Sequence, residues 1–177
     1  IADHDRRKAV IREQVQTLAA DQHAKADLNE ALLDEITSLV EWPIALLANF
    51  DESFLEVPKE ALIYTMKDDQ KYIPLLDKQG QLKSQFIFIT NIESKDPSTI
   101  ISGNEKVIRP RLADAEFFFN TDKKQSLASR VESLKTILFQ KQLGTLFEKS
   151  ERIAAMAKSI AKMLGADQEA AHRAGLL

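Results

Sequence analysis

The chain has 177 residues, 44% of them hydrophobic and 29% charged, with 5 glycines, 5 prolines and a formal net charge of -3. That composition excludes a disordered chain and describes a helix-rich globular one, long enough to bury a sizeable core without covalent staples. The absence of cysteine rules out disulfides and thiolate metal sites and fits a cytoplasmic protein, while the acidic balance means that any nucleic-acid contact has to come from a local basic patch.

No apolar run reaches the roughly 20 residues of a membrane span, and no basic-then-apolar leader opens the chain. The chain opens at Ile1 and stops at Leu177 inside an apolar pattern, so an excised piece of a longer protein is expected.

Asp3 to Gln22 reads as an amphipathic helix with Ile11, Val15 and Leu18 on one side and Arg6, Arg7, Lys8 and Arg12 crowded near its start. Basic residues there oppose the helix dipole, an effect partly offset by Asp3 and Asp5; the cluster is either a solvated face or a phosphate-contacting patch. Asp27, with Glu30 three residues on, suits the N-cap of a second helix whose buried stripe is Leu28, Leu32, Ile36 and Leu39. That helix has to stop before Pro43, which leaves Trp42 at an extended junction, where a core anchor and a base-stacking surface are the two roles open to it.

Ile44 to Phe50 reads as a short buried strand or connector. Pro58 suits the first position of a helix running to about Asp69, with Leu62 and Met66 packed inward. Asp68 and Asp69 fall at its C-terminal end, where the dipole disfavours them and Lys71 is close enough to compensate. A hairpin follows: Tyr72 to Leu76, a turn at Asp77-Lys78-Gln79-Gly80, and Leu82 to Ile92. Phe86-Ile87-Phe88-Ile89 is apolar on both faces and predicts a central strand; Pro74 predicts an edge or a bulge in its partner. Asn91 to Ser102, which contains Asp96-Pro97, is expected to be a loop.

Ser102 to Phe119 is the densest mixture of apolar bulk and fixed charge in the chain. At helical spacing Val107, Ile108, Arg111, Leu112, Ala115 and Phe119 lie near one another, with Glu105 four residues from Arg109 and Arg111 three from Asp114. Pro110 either sits in the first turn of a helix beginning near Arg109 or kinks a longer one beginning near Asn104; apolar spacing that runs through the proline favours the kinked helix. Ser126 suits the cap of a further helix with Leu127, Val131 and Leu134 inward, and Thr136 to Phe139 either continues it or returns to the sheet. From Thr145 the pattern is helical through Leu146, Ile153, Met156, Ile160 and Leu164, with Gly165 as a stop and Asp167 as the next cap. The loss of aromatics after Phe147 puts a domain boundary near Gly144.

Gly-Asn-Glu-x-Val-Ile-x-x-Arg-Leu-x-Asp-Ala-x-Phe-Phe, from Gly103 to Phe118, is similar to a signature of the beta subunit of bacterial heterotetrameric glycyl-tRNA synthetase. Val40-Glu41-Trp42-Pro43, Phe54 to Glu60, Asp69 to Tyr72, Phe86 to Ile92 and Leu143 to Lys149 agree with it in order and spacing. The resemblance implies an α+β fold at residues 1–143, with a mixed, mainly antiparallel sheet flanked by helices, like the editing-type domain of the phenylalanyl-tRNA synthetase beta subunit. It implies that residues 144–177 begin an all-α domain of the HD hydrolase type, whose His-Asp metal pair is absent from this stretch. In that family the alpha subunit holds the ATP and glycine site, magnesium accompanies the ATP, and the beta subunit is needed for activity and binds tRNA(Gly). The resemblance therefore implies a cytoplasmic heterotetramer, with no cofactor held by this segment.

Independently of that resemblance, no catalytic centre is legible. His4, His23 and His172 stand at no metal-ligand spacing, the isolated glycines form no phosphate loop, and no serine lies in a nucleophile-elbow context. The candidate RNA-binding residues are Asn104, Lys106, Arg109 and Arg111, flanked by Phe117, Phe118 and Phe119, together with Arg6, Arg7 and Arg12. The structural alternative is that the first group satisfies Glu105, Asp114 and Glu116 within a packed helix and that the phenylalanines are core. A subunit-docking module without RNA contact is the other functional class open.

Overall fold

A computed structural model describes all 177 residues, which divide into two compact units, Ile1–Phe119 and Asn120–Leu177. In the first unit, α1 (His4–Asp21) leads through β1 (Lys25–Ala26) to α2 (Glu30–Leu39) and β2 (Ile44–Asn49). After a 3-10 turn at Glu52–Glu56 come α3 (Lys59–Tyr64), a π-helical turn at Thr65–Asp69, β3 (Ile73–Leu76), β4 (Leu82–Thr90) and α4 (Pro97–Asp122), whose last residues belong to the second unit.

The four strands order as β1-β3-β4-β2 and every pair is antiparallel, so the expected mixed sheet carries no parallel pair. β4 is central, as its continuous apolar run requires, and alternation along it feeds two cores. Phe86 and Phe88 face Leu62, Met66, Ile108 and Leu112, whereas Ile87 joins Ile73 and Leu75 against Ile11, Val15, Leu33 and Ile36. Helices α1 and α2 thus cover one face, and α3 and α4 the other. Burying Ile108 and Leu112 completely contributes about 1.5–3 kcal/mol each. Pro74 sits where β3 is bulged rather than at an edge; its carbonyl accepts the Asp27 N–H at 2.9 Å. Gly80, at φ 77, closes the hairpin.

The exposed side of the edge strand β2 is blocked by side chains. Gln14 of α1 accepts the Ala45 N–H at 2.7 Å and donates to the Pro43 carbonyl at 3.1 Å, while Glu105 of α4 accepts the Asn49 N–H at 2.9 Å. Filling edge groups from the adjoining helices removes a template for strand addition.

Several expectations are corrected. Asn29, not Asp27, caps α2 by accepting the Leu32 N–H at 2.8 Å, because the Asp27 carboxylate is taken by Lys67 at 3.1 Å. Leu33 and Val40 complete the buried stripe, and Leu39 faces out. Trp42 is not a core anchor: its N–H and that of Glu41 both donate to the Asn91 side chain at 2.8 Å, and that clamp leaves the indole exposed. Asp96-Pro97 is a helix start rather than loop, since Asp96 accepts the Ser98 N–H at 3.1 Å and the Thr99 hydroxyl at 2.8 Å, with proline in the first turn. α4 then runs unbroken through Pro110, which lies on its exposed side, where water can serve the carbonyl left without a donor. Lys71, at φ 58, ends the π-helical turn and directs its ammonium to the Asp68 backbone carbonyl at 2.9 Å and to Glu35 at 3.1 Å, rather than to the Asp68 or Asp69 carboxylate.

In the second unit, α5 (Leu127–Arg130) and a 3-10 turn at Val131–Thr136 precede a two-stranded ladder of β5 (Leu138–Gln140) and β6 (Gly144–Thr145), then α6 (Leu146–Met163) and α7 (Gln168–Leu176). The segment expected to close the first domain belongs here. Lys135 lies over the Phe147 ring at 4.6 Å, Lys149 over Phe139 at 4.0 Å, and the Leu146 N–H donates to the Ile137 carbonyl at 2.8 Å. The division therefore falls at Phe119/Asn120, and Gly144 lies within the second unit. Ser126 caps α5 as expected, but Leu127 is exposed. Thr145 and Glu148 form a reciprocal capping box at the start of α6.

Candidate nucleic-acid interface

Seven residues were candidates for contacting RNA, and the structure separates them by what their side chains already hold. Arg7 donates to the Thr37 carbonyl at 3.0 Å and the Ile1 carbonyl at 2.6 Å. Arg12 makes a two-pronged pair with Glu30 at 2.8 and 2.9 Å, and Lys8 bridges Glu30 and Asp34. These contacts bolt α1 to α2. Hydrogen bonds from Arg12 and then Lys8 pull the Glu30 carboxyl down to about 2, while Asp34 and Glu30 push the Lys8 ammonium up. Of the N-terminal cluster only Arg6 is exposed with its guanidinium unpaired.

Asn104 is likewise committed inward. Its side-chain oxygen accepts the Tyr72 hydroxyl at 2.7 Å and its amide donates to the Ile100 carbonyl at 2.8 Å. The Tyr72 ring stacks on Phe86 with centroids 4.7 Å apart, and burial pushes its hydroxyl pKa up. Asn104 therefore ties α4 to the sheet.

Lys106, Arg109 and Arg111 remain on the exposed surface of α4, and none is in an ion pair. The expected pairs do not form, because Glu105 is occupied by the β2 edge and Asp114 points to solvent. At about 100° per residue, Lys106 and Arg109 lie on one flank of the helix, whereas Arg111 is turned about 200° from Arg109 and faces the other way. A single phosphate can be gripped by the first two only. Arg109 also lies near Asp51, whose carboxyl is held below its usual range by the Ser53 N–H and hydroxyl and, to a smaller extent, by the Arg109 charge. Asp51 is 58 positions upstream of Arg109, and nothing in the local pattern marks the approach. Phe117 and Phe118 are not core: each is 63% exposed, and the rings meet edge to face at 5.5 Å, leaving Phe119 as the one that packs against the sheet.

What the α4 surface can do chemically is bind a polyanion weakly through one lysine and one arginine. In the second unit a depression of about 780 Å³ is lined by Lys141, Gly144, Glu148, Glu151 and Arg152, among others. Two of its polar groups are turned to local structure: Glu148 completes the capping box, and Arg152 donates to the Leu143 carbonyl at 3.0 Å.

The sequence profile described as "Glycyl-tRNA synthetase beta subunit" matches residues 1–177, the whole chain. The chain is 71% identical over its full length to a protein named glycine--tRNA ligase beta subunit from Pseudoalteromonas atlantica, and 64% and 63% identical to proteins of that name from Psychromonas ingrahamii and Pseudoalteromonas translucida. It spans about a quarter of these relatives, 26% of the length of each. A match covering every residue, with identity this high throughout, carries the conclusion that the chain belongs to the glycyl-tRNA synthetase beta subunit family.

Proposed function

We propose that this segment is an accessory, tRNA-contacting part of a glycine–tRNA ligase beta subunit, supporting ATP-dependent attachment of glycine to tRNA(Gly). Glycine activation, with its ATP and magnesium, then belongs to the separate alpha subunit of a cytoplasmic heterotetramer. In that reaction the glycine carboxylate takes the adenylyl group of ATP with release of pyrophosphate, and a hydroxyl of the terminal tRNA ribose displaces AMP. On this reading residues 1–143 hold an editing-type domain like that of the phenylalanyl-tRNA synthetase beta subunit, and residues 144–177 begin an HD-like helical domain. The observation that carries RNA contact is the flank of α4 where Lys106 and Arg109 stand exposed and unpaired.

The test is Lys106→Ala and Arg109→Ala in the beta subunit of the assembled enzyme, with tRNA(Gly) binding titrated at several salt concentrations. Each phosphate contact removed weakens binding and reduces the slope of log affinity against log salt by about 1. An unchanged slope in both variants refutes RNA contact here. A docking scaffold without RNA contact is favoured by a different observation: Ile153, Met156, Ile160 and Met163 of α6, with Leu164 at its C-cap, are all exposed, a continuous apolar stripe apart from the buried Ala154 and Ala161. Tight binding of alpha subunit, weakly dependent on salt and lost on Ile160→Asp, distinguishes that reading.

A further inference from the structure

We propose that the β5–β6 hairpin and the first turns of α6 hold an unpaired stretch of RNA, with a base stacked on Phe139 and the backbone beside Lys141, Lys149 and Arg152. Charge is divided unevenly between the two units: Ile1–Phe119 carries 14 Lys and Arg against 21 Asp and Glu, whereas Asn120–Leu177 carries 10 against 6. The net acidity of the chain therefore belongs to the first unit, and the second by itself attracts a polyanion. All three residues of β5 are exposed although two are large and apolar, Leu138 at 66% and Phe139 at 41%, so neither fills a core within the unit.

The hairpin is fixed to α6, so the ring is held in one place. The Leu146 N–H donates to the Ile137 carbonyl at 2.8 Å, the Leu143 N–H to the Gln140 carbonyl at 2.9 Å, and the capping box sets the start of the helix. The Lys149 ammonium stands 4.0 Å from the centroid of the Phe139 ring, and Arg152, three residues further along α6, donates to the Leu143 carbonyl at 3.0 Å. Lys141 occupies the exposed turn between the strands. None of the three is in an ion pair, whereas Arg130, Lys135 and Lys158 of the same unit are each spent on a carboxylate. Of the carboxylates lining the depression beside the turn, Glu148 is committed to the Thr145 N–H at 2.7 Å, which leaves Glu151 against three positive charges. Unpaired cations around an exposed ring match the alternation of phosphate and base along a nucleic-acid strand, since stacking accepts any base and the cations neutralise the backbone. A duplex keeps its bases stacked on one another and offers the ring no face, so the occupant is an unpaired stretch.

The proposal rests on the reading that the subunit contacts tRNA, but not on the α4 flank. The experiment uses the assembled enzyme with full-length beta subunit. Lysine acetylation is read peptide by peptide with and without saturating tRNA(Gly): Lys141 and Lys149 react several-fold more slowly when the RNA is bound, and exposed Lys78 of the first unit reacts at an unchanged rate. Binding is then titrated against salt. The double variant Lys141→Ala, Lys149→Ala reduces the slope of log affinity against log salt by about 1.4, or about 0.7 for each single-strand contact. Phe139→Ala keeps the slope and weakens binding about 5- to 150-fold, the range for one stacked base. Circular dichroism checks that each variant folds, and the acetylation result, taken on wild type, decides the matter where one does not. Unprotected hairpin lysines, or an unchanged affinity in folded Phe139→Ala, overturn the proposal. Equal protection by a blunt RNA duplex overturns the unpaired strand, and protection on adding alpha subunit to isolated beta subunit without RNA makes the occupant a protein. A slope lost in Lys106→Ala and Arg109→Ala, with the hairpin lysines unprotected, refutes this surface alone; tRNA(Gly) binding with no salt dependence at all refutes both.

Discussion

Replacing Asn104 distinguishes a structural polar group from an RNA ligand in one measurement. The Tyr72 hydroxyl is inside the first unit, the whole residue being 6% exposed, and its 2.7 Å bond to Asn104 is the one the structure provides. Asn104→Ala leaves that hydroxyl buried and unsatisfied, a cost of about 1–3 kcal/mol. Tyr72→Phe keeps the ring stacked on Phe86 and leaves the half-buried Asn104 amide to water, so about 0.5–1.5 kcal/mol is expected. The double variant removes both polar partners and should cost less than the sum, with a coupling on the order of 1 kcal/mol. Urea unfolding followed by fluorescence is the assay, because Trp42 is the only tryptophan and lies in the first unit. Strictly additive losses, or an Asn104→Ala variant of unchanged stability with weakened tRNA binding, refute the structural assignment.

Two further outcomes follow from contacts elsewhere. The Glu30 carboxyl is lowered in the folded chain from 4.5 to about 2, so its contribution to stability is present above about pH 4.5 and is lost as the pH falls through about 2. The stability difference between the wild type and Glu30→Gln should be greatest at neutral pH, shrink across that window and diminish with added salt; a difference independent of pH in urea titrations contradicts the Arg12–Glu30–Lys8 network. In the second unit, a Cβ at Gly175 would meet the Ala154 Cα at 2.7 Å and N at 2.9 Å, whereas one at Gly103 of α4 meets nothing within 4 Å. Gly175→Ala should destabilise by about 1–3 kcal/mol through overpacking of backbone on backbone, and Gly103→Ala should stabilise by about 0.5–1 kcal/mol. Far-ultraviolet circular dichroism during urea unfolding reads both; a midpoint that Gly175→Ala leaves in place refutes the close approach of α6 and α7.

The local chemistry of the chain was legible without coordinates wherever periodicity or a backbone constraint decides the outcome. The apolar run of β4 required two covered faces, Pro74 required an edge or a bulge, of which the structure has the bulge, and Gly80, Ser126, Thr145 and Asp167 marked the turn and helix starts that the structure contains. Family membership was also legible, because motifs in fixed order and spacing survive in the linear chain. Tertiary structure alone decided what each polar side chain is bonded to. Arg12 and Glu30 are 18 positions apart, Tyr72 and Asn104 are 32 apart, and Asn49 and Glu105 are 56 apart. Hydrogen-bond partners at such separations depend on how helices dock across the sheet, and no local spacing encodes them. The same reason explains the reversal between Trp42 and Asn104: the residue that composition would bury stands exposed, and the one that charge patterning offered to RNA is held inside.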